Sequence, residues 1–282
     1  MAETPAAGGF WSDVYNAFQP PPERAQSVGR DFELAFAAAW VYCAVVGILS
    51  CLFAGRVFGE AFTSLSAGKK AMWHCYSYCL FCGVISCWLM AEDVRPLFWD
   101  HVWDPHYQYY VKQSPSFRRA AGFSCGFLAF DLTVLLLGHR LLIKAYKRPM
   151  YMQMLVHHTL SIASWPLTIQ HGLATGLVAY CIFTESTSIF VNLHWFLREA
   201  KLEGTWCGFF NGIALLVSYL IVRVIPVAWV AWCWWRCPKP DWTWIEWIYG
   251  ASLAPLPSLF NLFWFRLICK GAMAKFLKGK AN

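Results

Sequence analysis

The chain has 282 residues, 58% of them hydrophobic and only 14% charged, an apolar share above and a charge content below those of an ordinary soluble domain. That composition excludes a soluble globular enzyme and predicts an all-α, polytopic transmembrane protein with one membrane domain and no independent soluble domain. The net charge of +7 does not read as nucleic-acid binding, because the basic residues fall in short loops and at the C-terminus, with no aromatic platform interleaved.

Residues Met1 to Asp31 contain Pro20, Pro21 and Pro22, which no helix interior tolerates. They carry no basic segment followed by an apolar one, so no cleaved signal peptide is expected. Trp11 to Phe18 predicts a short interfacial helix with Trp11, Val14, Tyr15 and Phe18 on one face. A spanning helix needs about 20 apolar residues, which predicts about seven spans: Phe32 to Phe58, Lys70 to Ala91, Ala120 to Ile143, Tyr151 to Ile169, Leu173 to Phe196, Trp206 to Ala231 and Trp247 to Cys269. The fourth is the shortest, and Pro166 is expected to kink it or end it early.

With seven spans, most loop lysines and arginines fall on the side of the C-terminus, which the positive-inside rule makes cytosolic, with the N-terminus lumenal or external. The lumenal side then carries the largest loop, Glu92 to Arg119, with WDHVWDPHYQYY at its centre. Asp100, His101, Asp104 and His106 could be drawn as a metal site, but a plain interfacial loop is the reading preferred, and no metal is expected. The tryptophans from Trp229 to Trp247 read as an aromatic belt. Most of the 12 cysteines lie in apolar runs and act as small hydrophobes. The pair Cys79 and Cys82 has no second CxxC to complete a zinc site, and Cys233 and Cys237 could form a disulfide if their loop is lumenal.

The rise of about 1.5 Å per residue converts position along a span into depth. Asp131 and Glu185 each fall roughly 18 Å below the lumenal end of their spans, and His157 and His158 roughly 10 Å from the cytosolic end of theirs, so all four share nearly one plane. Asn261 falls there too, and Arg223 is somewhat closer to the lumen. His157, Ser161, Ser164 and Thr168 form one helical stripe, and Cys181, Glu185, Ser188 and Asn192 another. Ionisable residues at this depth normally face a protein interior or a water-filled cavity. The four are therefore expected to converge on one cavity, with Arg223 paired to Asp131 or Glu185 or reaching a lipid phosphate. The alternative for the serines and asparagines is hydrogen bonding between helices.

The run GFSCGFLAFDLTVLL with Asp131, the pair His157 and His158, the block ESTSIFVNLHWF, the RVIP segment with Arg223, and NLFWF with Asn261 together resemble the TLC domain family, which includes ceramide synthases and several smaller lipid-related proteins. The resemblance implies a six-helix core around a lipid-accommodating cavity, with one extra helix here. It divides the chain into an N-terminal segment (1–31), two spans with a loop (32–117), a TLC-like core (118–275) and a basic tail (276–282). In ceramide synthases the histidine pair is followed by a His-Asp pair and another Asp, which serve acyl transfer. The same spacing here lands on Thr184, Glu185 and Ser188, which keeps one carboxylate and lacks the second histidine and second aspartate. The chain therefore looks more like the smaller TLC-domain proteins.

Three functions are expected in order. The first is lipid binding or handling in the polar cavity, with Ser161, Ser188, Asn192, Arg223 and Asn261 holding a membrane lipid. The second is acyl transfer from acyl-CoA, with His157 or His158 as base or nucleophile and Asp131 or Glu185 orienting it. The third is a non-catalytic subunit of a larger membrane-protein complex. No cofactor and no nucleic-acid partner are expected. The end Lys278, Gly279, Lys280, Ala281, Asn282 has the KxKxx pattern that resembles a dilysine retrieval signal and points to the endoplasmic reticulum, with the mitochondrial inner membrane or another organelle as rival.

Overall fold

The computed structural model describes residues 19–20, 22, 24–239, 242–253 and 255–279. The expected interfacial helix at Trp11 to Phe18 lies outside them, and the C-terminal lysine pattern runs out of them at residue 280. Every regular element among the described residues is helical. In chain order these are α1 (Gly29–Phe58), a single turn at Glu60–Thr63, α2 (Ala67–Cys79) and α3 (Cys82–Leu89). The chain then bends by 67° into α4 (Ala91–Arg95) and a π turn (Pro96–Asp100). Next come α5 (Pro105–Tyr110), α6 (Pro115–Leu137), α7 (His139–Tyr146), α8 (Arg148–His171) and α9 (Thr175–Thr184). A 3-10 turn (Glu185–Thr187) leads into α10 (Ser188–Glu199), and a π turn (Leu220–Val224) joins α11 (Trp206–Tyr219) to α12 (Pro226–Arg236). Two helices, α13 (Trp244–Leu253) and α14 (Pro255–Gly279), complete the chain.

Five of these stretches are long and apolar enough to cross a membrane: Gly29–Phe58, Pro115–Leu137, Thr175–Glu199, Trp206–Arg236 and Trp244–Ala274. The bent pair from Ala67 to Asp100 makes six if it counts as one. The expected fourth span corresponds to α8, a helix of 24 residues that fails on composition because its inward face is polar. Its placement is nonetheless that of the other rods. At one end Tyr151 donates to the Leu135 carbonyl (2.8 Å), and at the other Gln113 donates to the Thr168 carbonyl (3.1 Å), so α8 lies antiparallel beside the whole of α6. Pro166 does not end it: the helix runs on to His171 and stops at Gly172, whose left-handed φ of 57° supplies the C-cap.

Helix α6 is the axis of the bundle. It starts on Ser114, whose Oγ accepts from the Phe117 amide (2.9 Å), with Pro115 in the first turn. Its first half is buried almost residue by residue. A Cβ on Gly126 would sit 2.5 Å from the Phe36 carbonyl and 2.8 Å from Ala39 Cβ, so only glycine lets α1 lie backbone to backbone on α6. The opposite face of α1, with Leu34, Val41, Ile48 and Leu52, is exposed, as a hydrocarbon-facing surface must be.

On the Trp-rich face, the loop after the bend is fastened to α12 and to the segment that follows it. Trp229 Nε1 donates to the Val102 carbonyl (2.7 Å), and Trp242 Nε1 to the Tyr110 hydroxyl (2.8 Å), which in turn donates to the Pro238 carbonyl (2.7 Å). Burial pushes the Tyr110 phenol up to about 12, so it keeps the proton that the last bond needs. Trp99, Trp103 and Trp235 stay exposed. The disulfide considered for Cys233 and Cys237 does not form: both thiols are free and buried, and Cys237 Sγ donates to the Pro238 carbonyl at 3.3 Å. Spacing by one helical turn brought them near each other, but the bond that Cys237 makes is to its own loop. Asp104, considered as a metal ligand, is instead the N-cap of α5, accepting from the Tyr107 amide (3.0 Å). Asp100 faces Arg95 (3.4 Å), and the His101 and His106 rings lie against Tyr107 and Tyr110.

The N-terminal segment is stapled to the same face. Arg24 forms a two-pronged pair with the fully buried Glu246 of α13 (2.9 and 3.1 Å), and His171 Nδ1 lies 3.0 Å from the same carboxylate. Gln26 N donates to the Gln170 carbonyl (3.0 Å).

Candidate functional site: an intramembrane cavity between two interrupted helices

Two of the long helical stretches lose their α geometry at facing positions. Thr175–Glu199 tightens into the 3-10 turn at Glu185, and Trp206–Arg236 widens into the π turn that contains Arg223. Such irregularities mark functional sites more often than chance, because they free backbone groups and re-aim side chains. Here the two defects satisfy each other. Arg223 Nε donates to the Thr184 carbonyl (3.1 Å) and to Thr187 Oγ1 (2.8 Å), both at the 3-10 turn. Its Nη1 donates to Asn261 Oδ1 on α14 (3.2 Å), and its Nη2 reaches Ser188 Oγ (3.4 Å) and Glu185 Oε1 (3.5 Å). Ser188 Oγ donates to the other Glu185 oxygen (3.2 Å), and the guanidinium lies over the Tyr219 ring.

This is the pairing of Arg223 with a carboxylate that a cation inside a span requires, and the partner is Glu185, not Asp131. The placement of Glu185 depends on α3 behind it. Gly83 approaches so closely that a Cβ there would overlap the Glu185 carbonyl, so the 3-10 turn sits against α3 because position 83 carries no side chain.

Beside this network lies a cavity of about 60 Å³, several times what one water needs. Its polar wall includes His157, Ser161, Ser164, Glu185, Arg223 and Asn261. Its apolar wall is formed by Leu160, Trp165, Leu256, Pro257, Phe260 and Trp264, from α8 and α14. His157 Nε2 lies 3.9 Å from Glu185 Oε1, an ion-pair distance and too long for a hydrogen bond, and its ring meets Trp264 edge-on at 5.7 Å. Trp264 Nε1 donates to Gln153 (3.3 Å) and so ties α14 to α8 beside the cavity.

The four expected ionisable residues do not meet in one place. His157 and Glu185 line the cavity, whereas His158 and Asp131 form a separate buried pair: His158 Nε2 lies 2.7 Å from Asp131 Oδ2. Neighbours on a helix point about 100° apart, so a histidine pair in sequence faces two directions. The other Asp131 oxygen accepts from the Tyr78 hydroxyl of α2 (2.5 Å), a partner that nothing in the YSYC run distinguished. His158 Nδ1 is buried without a hydrogen-bond partner.

Ser161 lines the cavity, and Ser188 acts on it only through Glu185 and Arg223. Asn192 is buried but does not line it. The three residues of the 3-10 turn advance at 3.0 instead of 3.6 residues per turn, about 60° in total, which rotates Asn192 off the Cys181 and Glu185 stripe. Tyr180, Thr184, Thr187 and Trp264 belong to the site as well. Nothing in the sequence assigns them a place in the site, because a threonine or an aromatic residue in an apolar run carries no signal of its own.

Comparison with known proteins gives one match. The TLC domain family model matches residues 69–270, which includes every residue of both clusters. No curated protein and no solved structure matches the chain. The match covers well over half of the sequence in a helical protein with apolar, membrane-length rods, and the chain belongs to the TLC domain family.

Proposed function

We propose that the protein binds and handles a membrane lipid, whose headgroup sits in the cavity between α8, α9, the Arg223 turn and α14. One observation carries this reading. The cavity is amphipathic at membrane depth: His157, Ser161 and Ser164 line one side and form no hydrogen bond with other described residues, and Leu160, Leu256 and Phe260 line the other. Water alone would not require the apolar side, and hydrocarbon alone would strand the polar one. The position of the Asp131–His158 pair supports binding over catalysis, because the imidazole held by a hydrogen-bonded carboxylate lies off the cavity.

The test is lipid extraction and mass spectrometry of the purified protein beside Ser164→Leu, which fills the cavity from α8. The wild type is expected to carry one lipid class, and the variant at least about fivefold less of it, which corresponds to about 1 kcal/mol, with unchanged melting. Equal lipid in both proteins would overturn the assignment of the site. A second reading, acyl transfer from acyl-CoA, draws support from His157 facing Glu185 within the cavity at 3.9 Å, since catalytic contacts often tighten only with substrate bound. The same spectra separate the two, because acyl transfer through a covalent intermediate leaves an acyl adduct on His157.

A further inference from the structure

We propose that the cavity selects an uncharged headgroup bearing hydroxyl or amide groups and rejects a phosphate, and that Glu185 sets this selectivity. The proposal rests on the reading of the cavity as a lipid site and deepens it. An arginine inside a membrane protein suggests a phosphate ligand at first sight, since the planar guanidinium fits phosphate oxygens. Here four of its five N–H groups are already engaged: Nε with Thr184 O and Thr187 Oγ1, one Nη1 hydrogen with Asn261 Oδ1, and Nη2 with Ser188 Oγ and Glu185 Oε1. Its charge is met by a carboxylate that is itself only 12% exposed.

A phosphate entering this cavity would gain a cation with most of its donors engaged and meet the Glu185 anion at close range. Like charges in a site of low dielectric repel strongly, and an arrangement that penalises the wrong ligand gives specificity as surely as one that rewards the right ligand. The polar groups left for a ligand are neutral. The hydroxyls of Ser161 and Ser164 make no hydrogen bond with other described residues, and His157 meets Glu185 only at 3.9 Å. A hydroxyl can donate and accept, and a neutral imidazole offers one of each, which is the complement of an alcohol or an amide and not of an oxyanion. The three share one stripe of α8 at steps of four and three residues, so a headgroup with two such groups could engage neighbouring positions at once.

The probes for the test are diacylglycerol and phosphatidic acid with identical acyl chains, which differ only in carrying a hydroxyl or a phosphate. A photoactivatable diacylglycerol, with its reactive group next to the glycerol, is crosslinked to the purified full-length protein in detergent micelles, and the adducts are mapped by peptide mass spectrometry. Labelling is expected on peptides containing His157 to Ser164 and Leu256 to Asn261. Unlabelled diacylglycerol should compete at a concentration at least about tenfold lower than phosphatidic acid. In Glu185→Gln, which keeps the shape and frees the Arg223 charge, the order of the two competitors should reverse.

The wild-type competition decides the proposal even if the variant does not fold. Phosphatidic acid competing as well as diacylglycerol, or better, overturns the selectivity and leaves the lipid site standing. A folded Glu185→Gln protein with the wild-type order of competitors overturns the role of Glu185. Labelling confined to outward faces such as that of α1, with none on the cavity peptides, overturns both this proposal and the lipid site on which it rests.

Discussion

Arg223→Leu is expected to be the most damaging single substitution in the protein. The guanidinium joins the 3-10 turn, the π turn and α14 through five contacts and lies 3.5 Å from Glu185. Removing one member of a buried ion pair while leaving the other costs about 3–5 kcal/mol, and here Asn261 Oδ1 and the Thr184 carbonyl lose a donor as well. The expected result is loss of the monodisperse species in size-exclusion chromatography of a fluorescently tagged protein, together with a large fall in its melting temperature. The double variant Arg223→Leu/Glu185→Leu should recover most of that loss, because replacing both charges with apolar groups removes the stranded anion. If the double variant is as unstable as the single one, the neutral hydrogen bonds of Arg223, and not its charge pairing, hold the site.

Asp131→Leu should rank second. It strands the Tyr78 hydroxyl and His158 Nε2 together, two groups now held at 2.5 and 2.7 Å by one carboxylate, in a region where His158 Nδ1 already has no partner. Hydrogen bonds to charged groups contribute about 1.5–3 kcal/mol each, so a loss of about 3 kcal/mol, the lower bound for the two together, is expected, again read as a fall in melting temperature. Asp131→Asn is isosteric and keeps an acceptor for one of the two donors, and should cost about 1 kcal/mol. The comparison also bears on catalysis. A lipid-binding protein should keep its bound lipid in Asp131→Asn, whereas an enzyme that used this pair would lose turnover while still folding. Equal stability for Asp131→Leu and the wild type would show that the pair is not structural.

The parts of the fold legible in the sequence were those that depend on hydrophobic length and on one residue at a time. The rods at Gly29–Phe58 and Pro115–Leu137 announce themselves as apolar runs, and a lone arginine or glutamate in such a run announces a partner. Position along each span places Arg223, Glu185, His157 and Asn261 in one neighbourhood, because rise per residue is nearly constant. Depth carries no azimuth, so it also places His158 and Asp131 beside a cavity that they do not line. The stripe through Asn192 assumed an unbroken α-helix, and the 3-10 turn at Glu185–Thr187 broke it. No residue in EST marks that turn, and the feature that lets it sit against α3, the missing side chain of Gly83, lies in another helix. The same holds for α8, whose polar face lowered its hydropathy and made it look like the weakest span, although it is the helix from which the polar wall of the cavity is built.

The Arg24–Glu246 staple joins residues separated by 222 positions, and this fixes an order of events during synthesis. At about 5–20 residues per second, the ribosome needs about 11 to 44 s after making Arg24 before it reaches Glu246. Through that interval the arginine has no carboxylate from α13 to meet, and His171 waits for the same residue. The contact that closes the Trp-rich face is thus among the last the nascent chain can make. A ribosome stalled before the final two helices would leave the Arg223 turn without Asn261 and the cavity without its outer wall.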